Sequence, residues 1–210
     1  MIKYLFFDND GVLVDTEKYF FEATRIVLAQ NGIELTKEKF IELTLIGNEG
    51  GWRLARDMNM SEAKIDLMRK ERNELYSEYL SKGNLLADGA DEVIENLAAE
   101  YKLGIVTSSK KTHFDLIHKS TGILNYFSFV LTREDYTKSK PAADPYLKAL
   151  ETAGCAPDEA VSIEDSLRGL VSSNGAGIKC IIIPNELTAG SDFKDAWKII
   201  DNIKQLTEIL

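Results

Sequence analysis

The chain has 210 residues, room for one large domain or for a core with an insert, and its hydrophobic (44%) and charged (28%) fractions are those of a globular protein. A net charge of −9 argues against general nucleic-acid binding, and it obliges any anionic ligand to find local positive charge from lysine, backbone N–H groups or a metal ion. No apolar run reaches the roughly 18 residues of a membrane span, MIKYLFF is too short and too soon charged for a signal peptide, and Cys155 and Cys180 lack metal-type spacing, so a reducing, cytoplasmic setting is expected.

The first predicted element is IKYLFF, short, apolar and β-prone, hence a buried strand. From Glu17 the period becomes helical: Phe20, Thr24, Val27 and Leu28 share a face, and Asn31-Gly32 is a helix stop. Thr36 reads as the N-cap of the next helix. Ser61 begins a longer one, with Ile65, Met68, Leu75 and Tyr79 at helical spacing. Residues 16–83 contain no convincing strand. Beyond them strands and helices alternate: DEVIENLAAEY, LGIVTSS, THFDLIHKS, FSFVLT, a helix with Asp144 as N-cap and Pro145 at its first position closing at Gly154, AVSIED, SLRGLVSSNG and IKCIIIP. This order predicts an α/β fold, a doubly wound, Rossmann-like parallel sheet over residues 1–15 and 84–210, with an all-helical insertion over 16–83. Hinges are expected near Thr16 and Gly83, with Asp88 and Gly89 marking the return.

Polar residues gather just past the carboxyl ends of the predicted strands, where open α/β sheets bind ligands. Asp8 and Asp10 follow the first. Thr107, Ser108, Ser109 and Lys110 follow the second, Lys138 and Lys140 the third, and Glu164, Asp165 and Ser166 the fourth. Four carboxylates (Asp8, Asp10, Glu164, Asp165) in one crevice repel one another and call for a cation, and an all-oxygen donor set suits Mg2+. Lys140, the Thr107 hydroxyl and the turn N–H groups at Ser108 would meet anionic oxygens. Such a collection suits a phosphoryl group. Asp8 at the strand tip would attack phosphorus, and Asp10 would protonate the leaving oxygen and later deprotonate a water.

The segments DNDGVLVD, VTSS, SKPAADPYL and IEDSLRG resemble, in order and spacing, the four motifs of the haloacid dehalogenase superfamily, and the helical insert resembles the cap of its first cap subclass. The likeness is to the β-phosphoglucomutase-like and phosphoglycolate-phosphatase-like subgroup. It implies Asp8 as nucleophile and metal ligand, and Asp10 as general acid/base with its main-chain oxygen on Mg2+. It further implies Thr107 as a phosphate-binding hydroxyl, Lys140 as the lysine that steadies nucleophile and phosphate, and Asp165 as a direct metal ligand with Glu164 beside it or acting through water. Asp15 is expected to order the loop. The implied sheet order is 5-4-1-2-3.

An acid two residues after the nucleophile suits a departing alkoxide, whereas dehalogenating relatives need none, so phosphomonoester hydrolysis is the expected reaction. The nearest rival is a phosphosugar mutase, but the mutases' cap histidine falls on Phe20 and their cap arginine near Gly50. Arg53 or Arg56 is the expected substrate reader in the insert, and Trp52 is expected in its core. No GxxxxGK[ST] phosphate loop is present. His113 and His118, five apart, are expected to be packing or surface residues. A phospho-accepting receiver and a catalytically dead phospho-ligand-binding relative are the non-enzyme alternatives. The expected partner is a small phosphorylated metabolite bound by a monomer, with no nucleic acid or membrane.

Overall fold

The computed structural model of the chain describes residues 1–47, 49–82 and 85–210. The chain divides into two compact units, Met1–Asp15 with Asn84–Leu210, and Thr16–Gly83.

The first unit is built on six parallel strands: β1 Tyr4–Phe7, β2 Lys102–Val106, β3 Phe127–Leu131, β4 Ala160–Glu164, β5 Lys179–Ile182 and β6 Lys198–Ile199. Their order is β3-β2-β1-β4-β5-β6, which places β1 among the inner strands, paired with both β2 and β4. The sequence-based order therefore stands with one edge strand added. Two residues are too few to display a period, and β6 is held by its ladder to β5, continued by Trp197 N–H to Cys180 O (2.9 Å) and Ile200 N–H to Ile182 O (2.9 Å). β4 is buried along its whole length, and Leu5, Phe6 and Phe7 are fully buried, as expected of strands covered on both faces.

Every regular element among the described residues of the second unit is helical. It comprises α1 Glu17–Gln30, α2 Lys37–Phe40 continuing into a π-helical stretch Ile41–Ile46, α3 Trp52–Asp57 and α4 Glu62–Leu80. Thr36 and Ser61 are the predicted N-caps, accepting from Lys39 N–H and Lys64 N–H. Trp52 is buried, as expected. Phe20 meets Tyr76 edge-to-face at 5.3 Å and lies under the Arg72 guanidinium at 4.1 Å. Burial pushes that arginine down to about 10, and its hydrogen bonds go to Thr24 and Asn73 rather than to a carboxylate.

The remaining helices belong to the first unit: α5 Ala90–Ala98, α6 Lys111–His118, α7 Asp144–Ala153, α8 Leu167–Gly175 and α9 Leu206–Ile209. Tyr146, Ala149 and Leu150 of α7 pack with Phe6, Val106 and Leu131 in one core cluster, while Leu170 of α8 packs with Cys180 and Ile182 in another. Asp144 is the first residue of α7 and not its N-cap, which is Ala143. The Asp144 carboxylate instead accepts from Lys138 N–H (3.1 Å), tying the helix start to the preceding loop. Asp15 N–H donates to Leu85 O (2.9 Å), Ala87 N–H donates to Leu13 O (2.9 Å), and Val14 bridges Leu86, so the chain leaves and re-enters the sheet unit side by side. Of the two expected hinge positions, Thr16 is buried just before α1 and Gly83 lies outside the described residues. No helix among the described residues is long and apolar enough to cross a membrane.

Candidate active site

Strand register brings the acidic residues together. Phe7 lies level with Ile105 of β2 and Ile163 of β4, so one step further on Asp8, Val106 and Glu164 stand side by side. Asp8 N–H bonds Ile163 O (2.9 Å) and Thr107 N–H bonds Leu131 O (2.9 Å), which carries the pairing one residue past the strands. The loop after β1 then turns at Gly11, whose φ of +85° lies in the left-handed region. A Cβ there would also overlap the Asp165 carboxylate, so only glycine lets the loop run against that side chain.

Lys140 sits at the centre of the cluster, 1% exposed. Its Nζ lies 3.0 Å from Asp8 Oδ1 and 2.6 Å from Glu164 Oε1, and it donates to Val106 O at 2.8 Å. Burial alone would push the ammonium down, but Asp8 and Glu164 hold it above its ordinary value. The Asp8 carboxyl is pushed up to about 8 by burial and by Glu164, against the pull of Lys140. Asn9 N–H (2.8 Å) and Lys140 both hold Asp8 Oδ1. Tyr146, fully buried under the Lys140 ammonium, donates its hydroxyl to Glu164 Oε1 at 2.7 Å.

Asp8, Glu164 and Asp165 present oxygens that all lie within 4.8 Å of one another. Glu164 Oε2 is buried without a hydrogen-bond partner, because Lys140 and Tyr146 both bond Oε1. Asn185 Nδ2 holds Asp165 Oδ2 at 2.8 Å. Three converging carboxylates against one ammonium, with a buried oxygen left over, fit a hard divalent cation. The Asp10 carboxylate stands apart from that trio. Its Oδ2 accepts from Ser109 Oγ (2.7 Å), Thr107 Oγ1 (3.3 Å) and Asn9 Nδ2 (3.3 Å).

The sheet unit thus gathers Asp8, Asp10, Thr107, Lys140, Glu164 and Asp165 at one sheet edge, with Ser108 in the turn between Thr107 and Ser109. Arg53 is placed differently. It belongs to the helical unit, is exposed, and spans Glu49 and Asp57 at 2.7 Å each; Arg56 pairs with Glu62 in the same way. Sequence reasoning gave no role to Asn9, Ser109, Tyr146 or Asn185. Ser109 was visible in the polar run after β2. The others reach their partners only through the fold.

A model of the haloacid dehalogenase-like hydrolase family matches residues 5–183. The protein CbbY of Rhodobacter capsulatus is 31% identical over 212 residues, covering 95% of this chain and 93% of its own length. The phosphoglycolate phosphatase of Nitrosococcus oceani is 26% identical over 213 residues, covering 97% and 94%. CbbY of Rhodobacter sphaeroides, solved with phosphate and as a variant with xylulose 1,5-bisphosphate, superposes with a TM-score of 0.83 at 26% identity over 98% of this chain and 96% of that one.

Proposed function

The chain belongs to the haloacid dehalogenase-like hydrolases, and we propose that within that family it is a Mg2+-dependent phosphatase of small phosphomonoesters, such as sugar, polyol or short-chain acid phosphates. The observation that carries this reading is the unequal treatment of two neighbouring carboxylates. Asp8 is gripped by Lys140 and converges with Glu164 and Asp165, whereas Asp10 is held by hydroxyl and amide donors. That difference suits a nucleophile and a general acid/base.

Asp8 attacks phosphorus, the P–O bond to the alcohol breaks, and Asp10 gives its proton to the departing oxygen. Asp10 then takes a proton from the water that attacks the acyl-phosphate, releasing inorganic phosphate and restoring Asp8. Lys140 would offset charge on Asp8 and on the phosphoryl oxygens, and Thr107 Oγ1 and the Ser108 N–H would bind those oxygens. Asp8, Glu164, Asp165 and the Asp10 main-chain oxygen would hold Mg2+, which when bound shields the carboxylates and the phosphoryl group from one another. The helical unit would act as a cap that excludes bulk water, with Arg53 reading the substrate.

A sugar phosphate is favoured by the ligand of the Rhodobacter sphaeroides relative. The mutase reading is disfavoured because Phe20 is packed among Phe40, Tyr76 and Arg72, with no imidazole at that position. The test is phosphate release over a metabolite panel, with and without glucose 1,6-bisphosphate, by wild type and Asp8→Asn. Metal-dependent release by wild type alone is expected, with loss of at least about 10³-fold in the variant. Turnover that needs the bisphosphate and releases no phosphate would overturn it in favour of a mutase.

A further inference from the structure

We propose that His118, at the end of α6, is a positioning residue for the reaction, holding the Asp10 carboxylate in place through the side chain of Asn9. The inference rests on the general-acid reading of Asp10 given above.

With no proton on Asp10 Oδ2 and a neutral His118 ring, the chain of hydrogen bonds has one consistent arrangement. The ionised Asp10 carboxylate can only accept, as can its Oδ2 when the proton sits on the other oxygen, so the Asn9 atom facing Oδ2 at 3.3 Å is the amide nitrogen. Asn9 Oδ1 therefore faces His118 Nε2, 2.7 Å away, and that nitrogen must carry the proton. His118 Nδ1 is then an acceptor, and the Thr121 hydroxyl stands 2.9 Å from it to donate. Asn9 is fully buried and His118 nearly so, so neither can exchange these partners for water. The ring is further seated against Phe114, centroids 4.5 Å apart.

This support differs in kind from the other two donors on Asp10. Thr107 Oγ1 and Ser109 Oγ are rotatable hydroxyls beside the proposed phosphate position, and Thr107 is asked to turn toward a phosphoryl oxygen when substrate binds. The Asn9 amide faces away from solvent and has no such second duty. Its planar group is held at both ends, so it keeps Oδ2 accepting while the proton for the leaving oxygen travels on the carboxyl group's other oxygen. The other tautomer would set an imidazole lone pair against Asn9 Oδ1, and a flipped ring would set a C–H there; either would free the amide to rotate.

The leaving group provides the test. Benzyl phosphate expels an alkoxide and needs the Asp10 proton, while p-nitrophenyl phosphate expels an anion stable at neutral pH and does not. In kcat/KM, His118→Phe and Asn9→Leu are expected to lose about 10- to 100-fold on benzyl phosphate and less than about 3-fold on p-nitrophenyl phosphate, the double variant being no worse than the singles. His118→Gln, which keeps a donor, is expected to recover most of the loss. Thr121→Val, milder to the fold, should show a smaller loss with the same substrate dependence. Equal losses on both substrates, or none in the folded variants of this set, overturn the proposal. Asp10→Asn serves as the reference: if it shows no preference between the two leaving groups, the acid role of Asp10 falls and this inference with it. If Asp10→Asn shows the preference and the His118, Asn9 and Thr121 variants do not, only this inference falls.

Discussion

His118 carries a cost that depends on pH. Burial, opposed weakly by the charge of Asp10, pushes its imidazole down to about 4 from an ordinary 6.5. The unfolded chain therefore binds more protons between these values, and stability rises with pH through that window. The His118 contribution is complete above about pH 6.5 and is lost as pH falls toward 4, by up to about 3 kcal/mol. Urea unfolding at pH 4 and pH 7 is expected to show a smaller pH difference in His118→Gln than in wild type; an unchanged difference would contradict the buried neutral ring. Asp8 has the opposite sign. Its carboxyl, at about 8, binds more protons folded than unfolded from about pH 4 upward, so in the metal-free protein stability falls as pH rises through that range. A divalent cation among Asp8, Glu164 and Asp165 competes with that proton. Mg2+ is therefore expected to raise Tm more at pH 8 than at pH 5, and EDTA to reverse it, as read by a thermal scan. An equal shift at both pH values would count against the trio as the metal site. These residues also mark what a sequence can display. Asp8, Glu164 and Asp165 were legible because charge at the end of an apolar strand breaks a pattern. Asn9 and His118 were not, because their meaning lies in a bond between positions 109 apart in the chain.

Helix α8 lies against the Glu164 side chain at the end of β4, and Gly169 permits that approach. A Cβ there would overlap the Glu164 carboxylate, so the helix can cover that side chain only where it has none of its own. Ser166, accepting from Gly169 N–H, caps the same turn, and Ser172 Oγ ties the helix to Ala142 O at 2.6 Å. With the helix pinned at both points, the Glu164 side chain is what must yield. Gly169→Ala is expected to destabilise the fold by about 1–3 kcal/mol and to weaken Mg2+ activation by at least about 10-fold, with only a small loss of kcat at saturating metal. A titration of activity against Mg2+ checks this, and an unchanged metal midpoint would show that Glu164 is not the group displaced. At this scale the sequence was read well where a cap or stop residue acts on its neighbours, as at Thr36, Ser61 and Gly154. It was read poorly where an element exists only through pairing, as for β6, and where Asp144 turned its carboxylate back to the Lys138 backbone and not onto its own helix.

The two units differ in what each contributes to the proposed chemistry. Every residue proposed for phosphoryl chemistry, Asp8, Asp10, Thr107, Lys140, Glu164 and Asp165, belongs to Met1–Asp15 with Asn84–Leu210. That unit also contains the whole sheet and both core clusters described above. Its chain break is small in space, since Asp15 N–H bonds Leu85 O across 2.9 Å and two further backbone contacts flank that bond. Replacing 16–83 by a short Gly-Ser linker therefore closes a loop whose flanking residues Asp15 and Leu85 already touch, and the entropic cost of loop closure grows only slowly with length. The shortened chain is expected to unfold cooperatively with the circular dichroism of an α/β sheet protein. It should retain Mg2+-dependent turnover of p-nitrophenyl phosphate that Asp8→Asn removes, because an acidic leaving group asks little of water exclusion or of substrate reading by the insert. Discrimination among metabolite phosphates should fall, since Arg53 and its neighbours leave with the helices. A shortened chain that folds but has no such turnover would place part of the catalytic machinery in residues 16–83. One that does not fold would mean the helical unit contributes stability that the sheet unit lacks.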